Sequence, residues 1–427
     1  MNINYEINRL ISFALTHHMI EEADVLYTAN KIIDILRLPA FEYEEVQLES
    51  MENPSEILEA ILDYAASTPV DDEVLNEFIR VSKEYYANPN SNHTLGMKAK
   101  SVIDEATKNI ARLFNVKKDE IIYTSGSSES NNLVIKGVCE RYKSRGKHIL
   151  ISSLEHNSIV SSCTYLQELG FEVEIIPVDK YGIINIDELK KMLRDDTILV
   201  SITSVDSELG IREPIEEIAS ILKEYPNCFF HTDASQAIGK VNIDYSDVDL
   251  ITITPHKFYG LSGVGILVKR DNVFLKPQIN GGKSSTIYRS GTPDTALIAS
   301  ASIALKKSLE NMEERRISVI DKNKKIVEYL KGKKDVTINS NDNSIPYIIN
   351  FSVQNRKSND LQKKLNDLEI YVSTKTSCCP IETPSKLVYA VTKNKGLASS
   401  SIRLSLSHLT TNAEIDKFIE VMNNIIG

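Results

Sequence analysis

The segment ILVSITSVDSELGIREPIEEIASILKEYPNCFFHTD, residues 198–233, decides the fold. A short apolar run at 198–202 reads as a strand, 215–225 as a helix and 228–231 as a second strand. Apolar runs this short, bounded by turn residues, suit strands buried on both faces. The same alternation continues on either side. Further runs lie at 121–123, 148–151, 171–176, 250–253 and 264–268, with helical stretches at 131–142, 158–169 and 186–193. Strands alternating with helices predict an α/β fold with a mostly parallel seven-stranded sheet flanked by helices. From about Asn311 the chain becomes Lys- and Asn-rich and less regular, with candidate strands at 346–353, 369–372 and 402–406 and an amphipathic helix at 414–426. That part reads as a smaller α+β C-terminal domain.

The first 58 residues stand apart. Ile3, Ile7, Leu10, Ile11, Ala14 and Leu15 fall at helical spacing, and a second such segment over 24–38 is ended by Pro39. An acidic connector follows, and Asn53-Pro54-Ser55-Glu56 reads as a helix start with Asn53 as cap. This piece holds eleven acids and three bases, a net charge of -8, so the other 369 residues carry only -2. It reads as an acidic helical extension, either a solvated surface or a docking surface for a basic partner. The stretch 59–65 is ambiguous between helix and strand. Three units are expected: 1–58, 59–310 and 311–427.

Composition narrows the function classes. With 427 residues, 42% hydrophobic and 25% charged, the chain is globular rather than disordered. A net charge of -10 disfavours non-specific nucleic-acid binding, which needs Lys and Arg to neutralise phosphates. No apolar run approaches the ~20 residues of a membrane-spanning helix, and MNINYEINRL lacks the pattern of a secretory signal. Five cysteines, Cys139, Cys163, Cys228, Cys378 and Cys379, make an odd, sparse set that suits free thiols in a reducing compartment. A cytoplasmic protein is expected. No spacing among them resembles a zinc site, so no metal is expected.

Four stretches carry chemistry. YTSGSSESNN at 123–132 is a strand end, a Ser/Gly turn and a helix start, where unpaired N–H groups and hydroxyls can cradle a phosphate. Alone, it is also an ordinary turn. ITPHKFYGLSGVG at 253–265 sets Lys257 directly after a strand, beside His256, as a Schiff-base lysine requires; alone, it is also a surface Lys. FFHTDASQAIGK at 229–240 puts Asp233 just past a strand, where ligands bind in parallel sheets and where a carboxylate can pair with a pyridinium nitrogen. LEHNSIV at 154–160 puts His156 at another strand's carboxyl end. Taken singly, each could be a cap or a core hydrogen-bonder. Together they are the parts of a pyridoxal 5'-phosphate site.

Their order and wording resemble the cysteine desulfurase family of class V pyridoxal-phosphate enzymes. LDYAASTPV at Leu62, NPNSNHTLG at Asn88, RSGT at Arg289 and SIRLSLSHLTTNAEID at Ser401 follow in family order, and the likeness spans about residue 60 to the end. The resemblance implies the fold type I transferase architecture and a homodimer. It implies that Lys257 forms the internal aldimine and moves the Cα proton, with His156 stacked on the ring. Asp233 would hold the ring nitrogen protonated and Gln236 would face the phenolic oxygen. Ser127, Ser128, Thr254 and His256 would hold the phosphate, Thr292 would reach the neighbouring subunit's phosphate, and Arg403 would take the carboxylate of L-cysteine. In VSTKTSCCPIETPS at 372–385, Cys378 aligns with the family's nucleophile, Cys379 is its neighbour and Lys375 could favour a thiolate. Twenty-five positions separate Cys378 from Arg403, as in the long-loop branch, which hands sulfur to iron–sulfur scaffolds and other sulfur-acceptor proteins. Cys139, Cys163 and Cys228 read as core.

The chain departs from the family at several places. Lys375 and Ser377 stand where Gly and Ala are usual, Asp206-Ser207 replaces paired Asn, Pro255 replaces a small residue, and GGKSSTIY at 281–288 is unlike the usual wording. Ser207 is shorter than the Asn that helps hold the phenolic oxygen, so that contact is lost or bridged by water. Residues 1–38 and the ILDYA around Ile61 resemble the N-terminal helices of a bacterial hexose-1-phosphate uridylyltransferase family, yet no nucleotide-transfer motif follows. Two other readings stay open. One is a different class V enzyme, an aminotransferase or a cysteine/selenocysteine lyase, with Cys378 incidental; the other is an inactive, partner-binding paralogue.

Overall fold

The computed structural model describes residues 58–282, 284–375 and 383–426. The expected helices within 1–57 and the two loop cysteines, Cys378 and Cys379, lie outside them. Strand β1 (Ala60–Ile61) leads to helices α1 (Asp72–Glu84) and α2 (Thr94–Leu113). The alternation follows as β2 (Ile121–Thr124), α3 (Ser127–Tyr142), β3 (His148–Ser152), α4 (Asn157–Glu168), β4 (Glu172–Ile176), α5 (Ile186–Met192), β5 (Thr197–Ser201), α6 (Ile215–Leu222), β6 (Phe229–Asp233), β7 (Leu250–Ile253) and β8 (Gly265–Lys269). Helices α7 (Thr295–Glu310) and α8 (Met312–Lys331) connect to β9 (Val336–Ile338), β10 (Ile348–Val353), α9 (Ser358–Asn366), β11 (Ile370–Tyr371), α10 (Lys386–Thr392), α11 (Lys395–Ser400), β12 (Ser401–Ser405) and α12 (Asn412–Ile426).

Seven strands form one sheet in the order β2-β8-β7-β6-β5-β3-β4. Strand β8 runs antiparallel to both β2 and β7, while the β7–β6, β6–β5, β5–β3 and β3–β4 pairs are parallel. Successive side chains on a strand point to opposite faces, and here both faces are apolar. Leu150, Val200, Phe230, Ile251 and Ile266 join one core cluster, whereas Ile149, Leu199, Phe229, Leu250 and Leu267 join another on the far face. This double burial produces the continuous apolar runs. A smaller antiparallel sheet, β12-β10-β9, lies in the C-terminal part.

The expected strands are found within a residue or two of their sequence positions. Three features differ. The region after Asn311 opens with a regular 20-residue helix, α8, rather than an irregular stretch. Only Val319, Ile326 and Leu330 of that helix are buried, so its apolar stripe is too sparse to read through the Lys and Glu residues around it. Helix α3 begins at Ser127, four residues before the apolar pattern starts, because its first turn is polar and faces a cleft. The ambiguous stretch at 59–65 resolves as the short strand β1, which pairs in parallel with β11 and so anchors this segment on the C-terminal part. No helix among the described residues is long and apolar enough to cross a membrane.

Candidate functional site

The carboxyl ends of the parallel strands open onto a cleft of about 310 Å³. Its walls include Ser127, Ser128, His156, Thr203, Ser207, Asp233, Ser235, Gln236, His256, Lys257 and Arg403, together with Ala65 and Ala66. Nine residues named from sequence as site candidates are thereby brought to one place; Thr254, Thr292 and Cys378 are the other three. Thr254 is fully buried beside the cleft, where its hydroxyl meets His256 Nδ1 at 3.0 Å. Thr292 is exposed, in the connection between β8 and α7.

The strand ends aim the side chains. Asp233 is the last residue of β6 and is 6% exposed. One of its carboxylate oxygens accepts from Ser235 N at 2.9 Å and the other from Asn131 Nδ2 at 2.7 Å. Asn131 also donates to Ser158 Oγ at 2.9 Å, and Ser158 Oγ lies 2.8 Å from His156 Nδ1. Asp233 and His156 are thus joined by two intervening side chains. His156 caps α4, with Nδ1 accepting from Ser158 N at 3.2 Å. That bond assigns the proton of the neutral ring to Nε2.

A single turn after β7 carries Lys257. Its Nζ donates to the Ala65 carbonyl at 2.9 Å and also to the Ala66 carbonyl. His256, next to it, is half-buried; burial first, then the nearby Lys257 and Lys240, push its ring down to about 4, so it is neutral at physiological pH. Helix α3 brings the positive end of its dipole to the opposite wall, with Ser127 and Ser128 in its first turn. Strand β8 supports that turn closely. A Cβ on Gly265 would collide with Thr124 Oγ1 and the Gly126 backbone.

Arg403 sits on β12 and is 2% exposed. Its guanidinium donates to the Ser207 carbonyl at 2.9 Å and to Asp63 Oδ1 at 2.7 Å. Asp63 is held in turn by Ser373 Oγ at 2.9 Å. Backbone pairing sets this up, because Leu62 bonds both Tyr371 and Ser405 while Ser373 bonds Arg403. Lys375 Nζ donates to the Thr383 carbonyl and to its hydroxyl at 3.1 Å. Three cysteines are core residues, as expected. Cys139, Cys163 and Cys228 are buried, and burial is the main cause that pushes their thiols up, Cys163 to about 12.

Sequence reasoning missed Asn131, Ser235, Asp63 and the carbonyls of Ala65 and Ala66. Asn131 was within reach, since it lies one helical turn after Ser127 in the quoted cradle. Backbone carbonyls leave no side-chain signal.

The donor set fits pyridoxal phosphate. A helix start with two hydroxyls suits the phosphate, a buried carboxylate suits the ring nitrogen and a lysine reaches between them. The buried Ser235 hydroxyl on the wall has no hydrogen-bond partner among the described residues.

Comparison with known proteins agrees with this geometry. The family profile Aminotransferase class-V matches residues 60–418. The chain is 39% identical to "Cysteine desulfurase IscS" of Dictyoglomus turgidum over 380 residues, covering 86% of this chain and 94% of that one. It is 36% identical to "Cysteine desulfurase, mitochondrial" of Candida albicans over 370 residues, covering 85% and 75%. A solved structure titled "NIFS-LIKE PROTEIN" superposes with a TM-score of 0.81 at 31% identity, covering 86% of this chain and 99% of that one. The chain belongs to the class-V aminotransferase family and, within it, to the pyridoxal-phosphate-dependent cysteine desulfurases.

Proposed function

We propose that this chain converts L-cysteine to L-alanine at the cleft around Lys257 and takes the substrate sulfur onto Cys378 as a persulfide. The observation that carries the reading is that a lysine, a buried carboxylate and a buried arginine line one cleft: Lys257, Asp233 and Arg403. Pyridoxal phosphate, when bound, supplies an electron sink for the substrate's α-carbon. Lys257 would hold its carbonyl carbon and move the α-proton. Asp233 would keep the ring nitrogen protonated, with Asn131 and the Ser235 amide fixing the carboxylate. His156 would pack on the ring, and Gln236 with Ser207 would face the phenolic oxygen. Ser127, Ser128 and His256, with Thr254 behind it, would hold the phosphate.

Arg403 would bind the substrate carboxylate. The Cys378 thiolate then attacks the substrate sulfur, the carbon–sulfur bond breaks and a proton completes alanine. The support for Cys378 is its place in SCCP between the paired Lys375 and Thr383. The exposed Thr292 suits contact with a second copy, hence a homodimer. An iron–sulfur scaffold or another sulfur acceptor would take the persulfide, in the cytoplasm, and the acidic residues 1–58 would serve a basic partner.

The test is an alanine assay on protein supplied with pyridoxal phosphate and L-cysteine, with persulfide mapped by mass spectrometry. Alanine that depends on Cys378 is expected. Activity surviving combined Cys378→Ala and Cys379→Ala substitution would instead indicate an aminotransferase or lyase.

A further inference from the structure

Beyond Asp233 the chain makes tight helical turns. Ala237 N and Ile238 N bond back to the Ala234 carbonyl, and Lys240 N bonds the Ala237 carbonyl. These turns put Gln236 and Lys240 four residues apart on one side. Gly239 adopts φ +72°, and a Cβ there would press on the Ser308 side chain, so the turn ends where Lys240 points inward.

Lys240 is buried, and its Nζ donates to Gln236 Oε1 at 2.7 Å. The other end of the same amide, Nε2, donates to the Ala65 carbonyl at 2.9 Å. That carbonyl also receives Lys257 Nζ at 2.9 Å. Lys240 and Lys257 share a second, small cavity of about 10 Å³, roughly the space of one water. Tyr64, Tyr259, Arg315 and Tyr347 complete its charged and titratable wall. Among the described residues no carboxylate pairs with Lys240. The charges acting on it, Lys257 and Arg403, are both positive, and burial followed by these two pushes its ammonium down to about 7.

An unpaired buried ammonium is costly for a fold to keep. Its effect on Gln236 is directional. An ammonium has donors only, so the Gln236 oxygen must turn toward it. The amide nitrogen then faces Ala65 and the cleft, where Gln236 can offer only N–H.

We propose that Lys240 is a positioning residue of the cofactor site. It locks the Gln236 amide so that the cleft meets its N–H side, and while it holds its proton it supplies a cation behind Lys257. The proposal rests on the reading of the cleft as the pyridoxal phosphate site. The N–H side of Gln236 and the cation act in the same direction. Both favour negative charge on the ring's phenolic oxygen and disfavour a proton on the nitrogen contributed by Lys257.

The experiment is a pH titration of the long-wavelength absorbance of the holoenzyme, without substrate, for wild type, Lys240→Met and Lys240→Arg. The Lys240→Met midpoint should rise by about 0.5–1 pH unit, the size expected when a neighbouring charge and a donor are lost. Lys240→Arg, donor-only and cationic at every pH, should keep the midpoint at or below that of wild type. A merely structural lysine would leave the midpoint in place while lowering the melting temperature, and that result overturns the proposal. Should Lys240→Met fail to fold, Lys240→Gln is read instead. A raised midpoint supports the proposal and an unchanged one overturns it. If wild type itself shows no such band with pyridoxal phosphate, the cofactor reading fails, and the proposal falls with it.

Discussion

Arg403 is the side chain whose surroundings say most about substrate. It is nearly inaccessible, it is paired with Asp63 and the Ser207 carbonyl, and its Nε has no hydrogen-bond partner among the described residues. A buried guanidinium held on two sides is fixed in orientation before any ligand arrives, which lowers the ordering cost of binding a carboxylate. Lysine cannot reproduce a planar fork that serves Asp63, Ser207 and a substrate carboxylate together. Hydrogen bonds to charged groups are worth ~1.5–3 kcal/mol, so Arg403→Lys should raise KM for L-cysteine about 10- to 100-fold and lower kcat much less. Steady-state kinetics on both proteins would check this, and a fall confined to kcat would count against a binding role. The cysteines give a second expectation at this scale. Cys139, Cys163 and Cys228 are buried with raised thiols, so a thiol alkylating reagent should add at most two adducts to the native chain. Intact-mass spectra before and after unfolding would count them, and a third adduct on the folded protein would place a core thiol within reach of solvent.

At the scale of elements, the site depends on how β8 packs against the start of α3. Gly265 has no space for a Cβ beside Thr124 and Gly126. Gly265→Ala should therefore destabilise the protein by ~1–3 kcal/mol, as overpacking does, and shift the turn carrying Ser127 and Ser128. Thermal melts would show the first effect. A weakened affinity for pyridoxal phosphate, measured by fluorescence titration, would show the second; unchanged affinity would mean that the turn absorbs the methyl group elsewhere. This scale also explains what the sequence made legible. Strands β3, β5, β6 and β7 were legible because both of their faces are buried and apolar. Lys257, Asp233 and His156 stood out as polar residues placed immediately after such runs. Strand β9 has three residues, all half-buried, and leaves no pattern. The same holds for Lys240, whose importance lies in a neighbour four residues away and in the lack of a paired carboxylate among the described residues. Neither fact is visible in a linear pattern.

For the whole molecule, the buried acids near the cleft should set how stability varies with pH. Glu213 accepts from Ile184 N at 2.9 Å, and its other oxygen has no partner among the described residues. Burial is the main cause that pushes it up to about 8, and Asp206 is pushed to about 6 mainly by burial as well. Glu155 is likewise raised, by burial first. For Glu213 the folded value lies above the unfolded value of 4.5. Below 4.5 both states hold the proton and the group does not oppose folding. As pH rises from there toward 8, the unfolded chain releases a proton that the folded chain keeps, so stability falls, at up to ~1.4 kcal/mol per pH unit. Above about 8 the penalty levels off. Lys240, depressed to about 7, acts in the opposite sense, so the total curve mixes the two. The difference between wild type and Glu213→Gln isolates one group. The amide cannot ionise, yet its NH2 lacks a partner and costs ~1–3 kcal/mol at any pH. The two stability curves should therefore cross, with wild type the more stable near pH 5 and Glu213→Gln the more stable near pH 9. Urea unfolding across that range would measure it, and parallel curves would mean that Glu213 is already ionised in the folded protein at pH 5.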